Sequence, residues 1–197
     1  MISGLWNTGV LKVLFSFYRK AVKERSSEIL FTQETLISVV VGGTIGLFGN
    51  RLFPGSAKLL DIAVGFLGYA AIALGFCVGG MTIALTFPDR EFMTDLATLT
   101  IPERRGNALE NLLFVFSWTA VVHWSALAFL LVAILLHGHQ DNQLLTTQSV
   151  ISRLWISFIV FICCYALLQF VITVLTLWQV GGAYIGRLRG NATKKDA

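Results

Sequence analysis

The chain has 197 residues, of which 55% are hydrophobic and 13% charged, with a mean hydropathy of +0.73. A soluble domain carries about 25% charged residues, so the composition fits one polytopic helical membrane unit rather than a soluble globule. The net charge of +4 does not point to nucleic acid, because most Lys and Arg lie beside apolar runs, where they set orientation.

Residues 3–27 predict a basic amphipathic helix. Val10, Val13, Leu14 and Phe17 join Trp6 on one broad face, and Lys12, Arg19, Lys20 and Lys23 gather on the other. That polar face is too charged to cross a bilayer, so Trp6, Lys12, Arg19, Lys20 and Lys23 are expected at the membrane surface. A cleaved signal is not expected, since Lys12 interrupts the apolar stretch and no small-x-small site follows.

Four spans are expected next, at 33–53, 58–86, 110–136 and 151–182. The first has a short apolar centre, Thr35–Gly49, and needs its flanks to reach the ~20 residues that cross a ~30 Å core. The fourth is long enough to project beyond the membrane. The runs are continuous rather than alternating, which excludes barrel strands. Between them lie a loop at 87–108 and another at 137–149, with a basic tail at 183–197.

Lys and Arg counts orient the spans. The N-terminal region holds five, the 87–108 loop holds Arg90, Arg104 and Arg105, and the tail holds Arg187, Arg189, Lys194 and Lys195. Only Arg51, Lys58 and Arg153 fall on the other side, which places both termini in the cytoplasm. The 137–149 loop, free of Lys and Arg, is then external, and Asn191-Ala-Thr193, on the inner side, is not a glycosylation acceptor.

The inner loop stretch Phe87–Gly106 holds seven charges and two prolines. Pro88, Asp89 and Glu91 suit a helix start. Phe92, Leu96 and Leu99 recur on one face with Met93 alongside, Thr94, Asp95 and Thr98 lie opposite, and Pro102 is a stop. Such a helix either lies on the leaflet or the N-terminal helix, or docks a cytoplasmic partner or a second copy. Its acidic residues, which anionic lipid repels, favour protein contact through Phe92, Met93, Leu96 and Leu99, with Arg104 and Arg105 at the edge.

Within the spans, Gly42 with Gly46, and Ala71 with Gly75 and Gly79, form small-xxx-small patterns for close helix packing. Tyr165, Gln169, Thr173, Thr176 and Gln179 make a polar stripe on span four. It either hydrogen-bonds a neighbouring helix or lines an oligomeric pore. His123 lies mid-span with Thr119 one turn before it, as a satisfied structural histidine or a proton or ion sensor. Asp61 has Lys58 and Arg51 as candidate partners. Cys77, Cys163 and Cys164 read as small buried residues without metal spacing. No catalytic motif occurs, so no enzyme activity, cofactor or metal is expected.

The basic N-terminal helix, four spans, charged inner loop and basic tail resemble in layout the small four-span membrane component of the two-gene Kiwa anti-phage system. That resemblance implies a homo-oligomeric membrane sensor holding a cytoplasmic effector through its inner surface. The expected object is an all-α integral membrane four-helix bundle preceded by an interfacial amphipathic helix. It is multi-pass in a bacterial inner membrane, homo-oligomeric, and either scaffolds or signals to a cytoplasmic protein or forms a channel.

Overall fold

The computed structural model describes residues 16, 18–23, 25, 26, 29, 32–52, 59–86, 89–101, 106–137 and 150–195. Among them the structure is helical without strands, and one isolated bridge joins Thr100 to Asn107. Five α-helices follow in order: α1 (Gln33–Leu52), α2 (Leu59–Leu85), α3 (Arg90–Thr98), α4 (Ala108–His137) and α5 (Val150–Lys195). The reason is the one hydropathy supplies. A long apolar chain satisfies its own N–H and C=O groups only by winding them into intrahelical bonds.

Three helices contain segments long and apolar enough to cross a membrane: Ala63–Leu85, Ala108–Leu135 and Arg153–Arg189. The apolar part of α1, Gln33–Phe48, is shorter. Of the four expected spans, three are therefore present at full spanning length among the described helices. Polar residues stand near both ends of α1, Gln33 and Glu34 at its start and Asn50 and Arg51 before its last residue, Leu52. At the other extreme, α5 runs 46 residues, about 69 Å at 1.5 Å per residue. The tail expected after residue 182 is helical to Lys195, because nothing in it blocks the helix and leaving an apolar layer does not end one.

The chain divides into two compact units, residues 1–37 and 38–197. In the first, the stretch Tyr18–Val22 is a π-helical turn closed by the Lys23 N–H donating to the Tyr18 carbonyl at 2.9 Å. The part of the expected amphipathic helix that carries Arg19 and Lys20 is thus π-wound, which widens the turn and breaks the 3.6-residue facing there. In the first turn of α1, the Thr35 hydroxyl donates back to the Ile29 carbonyl at 2.8 Å.

In the second unit α4 packs along both α2 and α5. The buried positions of α2 are Ala63, Phe66, Ala70, Ala73, Cys77, Gly80 and Ala84, spaced alternately by three and four residues. On α4 the buried residues Leu112, Phe116, Thr119, His123, Ala126, Leu130 and Ala133 repeat the same alternation, with Asn111, Val115 and Val122 buried beside them. That is the repeat of left-handed knobs-into-holes packing. Small residues on α2 against larger ones on α4 bring the two backbones close, which is where packing energy lies when lipid removes the hydrophobic drive. At Gly80 an added Cβ would lie 2.2 Å from the Phe116 ring.

The small-residue patterns part company here. Gly42 and Gly46 lie against α5, where added Cβ atoms would meet Ser157, Phe161 and the Arg153 carbonyl. Ala71, Gly75 and Gly79 are exposed, and a Cβ at Gly75 or Gly79 meets nothing within 4 Å. Within the chain, α2 packs through a stripe on another face, not through the one that its glycine spacing suggests.

Candidate functional site

Two polar assemblies stand out, one inside the bundle and one at the α3 end. Inside, Thr119 and His123 are one turn apart on α4 and both are fully buried. The Thr173 hydroxyl donates to the Gln169 carbonyl of its own helix at 2.8 Å. It therefore accepts from the Thr119 hydroxyl, 2.7 Å away across the α4–α5 contact. Next along α4, His123 Nδ1 is 2.8 Å from the Thr119 carbonyl, an atom that can only accept. Nδ1 thus carries the proton, and in the neutral ring Nε2 accepts from the Tyr69 hydroxyl of α2, 3.2 Å away. Phe170 stands edge-on to both rings, with centroids 5.8 Å from Tyr69 and 6.2 Å from His123. One level off, Trp118 Nε1 donates to the Tyr165 hydroxyl at 3.1 Å.

These bonds join α2, α4 and α5 at one depth. Both imidazole nitrogens and both threonine hydroxyls are used, as a low-dielectric interior demands. Tyr165, Gln169 and Thr173 of the polar stripe are buried, whereas Thr176 is half-buried and donates to the Ile172 carbonyl at 2.8 Å. Gln179 is exposed. Among the described residues no group of three His, Cys, Asp or Glu could hold a metal ion.

The second assembly begins with Asp89, which caps α3 by accepting from the N–H groups of Glu91 and Phe92 at 3.0 and 3.1 Å. The helix ends at Thr98. The Ala108 N–H then donates to the Leu99 carbonyl at 2.8 Å, and Gly106 takes the left-handed turn with φ 86°. Asn107 and Glu110 form a reciprocal capping pair that starts α4, at 2.8 and 3.3 Å.

Across α3, Phe92 packs on Tyr184 of α5 with ring centroids 5.0 Å apart. Arg187, one turn further along α5, is forked between Glu91, at 2.8 Å, and Asp95. Phe92 and Leu96 are consequently buried inside the chain, Met93 is half-buried and Leu99 is 58% exposed. Of the expected docking face, Phe92 and Leu96 are covered by the protein's own helices, Phe92 against Tyr184 of α5. Leu99 remains outside.

Other expected positions divide the same way. Arg19 and Lys23 are exposed and Lys20 belongs to the same π-helical turn. Trp6, Lys12, Arg104 and Arg105 lie outside the described residues, as do residues 3–15, Lys58 and the loop at 138–149. Tyr69, Trp118, Tyr184 and Arg187 were not singled out for these contacts. The one local hint was the i, i+4 carboxylate pair Glu91 and Asp95, which invites a cation without saying which. No family model, curated protein or solved structure matches the chain.

Proposed function

We propose that the protein is a non-catalytic, multi-pass membrane subunit of four spans with both termini in the cytoplasm, which scaffolds or signals to a cytoplasmic protein partner. The observation that supports this over a pore is the direction of the α5 polar stripe. Thr173 is bonded to Thr119 and Tyr165 to Trp118, so these groups face α4. A pore wall needs such groups facing a wet axis. The partner-facing surface is the outer side of α3, with Leu99 as its apolar point and Thr94 and Thr98 beside it.

A second copy would meet the far face of α2, where Gly65, Gly68, Ile72, Gly75 and Gly79 repeat the three–four spacing that α4 uses on the near face. The layout shared with the Kiwa component makes phage infection the first signal to try.

The test is purification from the native host in mild detergent, with oligomer mass and bound proteins measured for the natural chain and for Leu99→Asp. A stoichiometric soluble partner, lost in Leu99→Asp while the membrane oligomer persists, supports the reading. Steady ion flux in liposomes with no soluble partner restores the channel and ends it.

A further inference from the structure

The α3 helix is held in two ways. At its C-terminal end it is tied to α4 through the Leu99–Ala108 bond and the Thr100–Asn107 bridge. Along its length it also packs on α4, and it meets α5 through Phe92 on Tyr184 and the Arg187 fork. A helix of nine residues is too short to persist without such contacts.

Helix geometry sets the depth of that hold. His123 lies midway along α4, and Phe170 packs beside it on α5. From Phe170 to Arg187 is about 25 Å at ~1.5 Å per residue, whereas half a hydrocarbon core is about 15 Å. On the membrane-spanning reading proposed above, on which this inference rests, the fork sits among the headgroups of the inner leaflet or just inside the cytoplasm.

Two carboxylates share one guanidinium, and the Glu91 and Asp95 side chains are 84% and 68% exposed against 21% for Arg187. Exposed pairs of this kind hold weakly and are screened by salt. A leaflet rich in anionic lipid acts on both halves in the same sense, since it attracts Arg187 and repels Glu91 and Asp95.

We propose that α3 is a latch closed on α5 by Arg187 and opened by an anionic lipid surface, which takes the guanidinium and drives the acidic helix away. Opening uncovers Phe92 and Tyr184, the apolar face that a partner could then bind. Electrostatic release of a docked segment by competing surface charge is the physical principle.

The experiment places nitroxide labels at Thr94→Cys and Gly186→Cys on a Cys77→Ala, Cys163→Ala, Cys164→Ala background and reads their separation by pulsed electron paramagnetic resonance in lipid nanodiscs. In phosphatidylcholine discs one short distance is expected. With one third phosphatidylglycerol, a longer-distance population should rise several-fold. Arg187→Ala, and separately Glu91→Gln with Asp95→Asn, should show the long distance in both lipids.

An unchanged short distance in the anionic discs overturns the proposal. So does opening by inorganic phosphate in phosphatidylcholine discs at matched ionic strength, because a soluble anion would then suffice without a lipid surface. Failure of the chain to enter discs at all is a separate outcome, which removes the membrane-spanning reading beneath it.

Discussion

The hydroxyls of Thr119 and Thr173 lie 2.7 Å apart with no exposed surface on either residue, and the Thr173 hydroxyl donates to the Gln169 carbonyl. Thr119→Val removes the donor but leaves Thr173 bonded to its own helix. The pairwise term is therefore small, about 0.6 kcal/mol and at most ~1.7, as for other hydrogen bonds between membrane helices. A double-mutant cycle with Thr173→Val, read by denaturation in mixed micelles, measures it. A coupling near zero would show that the contact is packing alone.

The close approach of α1 and α5 depends on two missing side chains. A methyl at Gly46 would lie 1.6 Å from the Ser157 hydroxyl oxygen and 3.0 Å from the Arg153 carbonyl. Rotation of Ser157 relieves the first contact, but the backbone cannot give way as readily. Gly46→Ala should therefore destabilise the protein by about 1–3 kcal/mol, the usual range for overpacking. Gly75→Ala meets nothing within 4 Å and should leave the thermal transition of the monomer in detergent where it was. Equal losses for the two variants would refute this placement of α1.

Nitrogen chemical shifts give a direct check of the His123 network. With Nδ1 donating to Thr119 and Nε2 accepting from Tyr69, the spectrum of the neutral ring should show a protonated Nδ1 and a bare Nε2. Tyr69→Phe then leaves a buried acceptor without its donor, at a cost of about 1–3 kcal/mol. The opposite tautomer in the natural chain would remove the Tyr69 bond from the account.

Capping decides whether α3 holds its shape. Asp89 accepts from two N–H groups that the first turn cannot otherwise pair. Asp89→Ala should weaken the helix by about 1 kcal/mol. Amide exchange over residues 90–98 should accelerate roughly five-fold, since ~1.4 kcal/mol corresponds to a factor of ten, while exchange in α4 stays unchanged. Parallel acceleration in both helices would mean that α3 is part of the bundle's cooperative unit.

The sequence by itself determined the class. Long apolar runs with few charges dictate helices, because an apolar layer tolerates no unpaired backbone, and the turn from Pro88 to Glu91 announces a short helix whatever surrounds it. The glycine pair at 42 and 46 also pointed to a close contact.

Which face of α2 packs was a tertiary decision. Small residues recur at three–four spacing on both sides, Ala63, Ala70, Ala73 and Ala84 on one and Gly65, Gly68, Gly75 and Gly79 on the other. Periodicity gives a face its repeat but not its occupant, and the large side chains of α4, Phe116 above all, chose the first.

The fork on Arg187 was equally beyond local reading. Its partners are 92 and 96 residues away in the chain, and Arg189 offered the same charge two positions on. Only the continuation of α5 as one helix beyond residue 182, and the register in which it meets α3, brings Arg187 and Tyr184 to Asp95, Glu91 and Phe92. The same register turns a face that amphipathicity marks as apolar into one that the chain covers for itself.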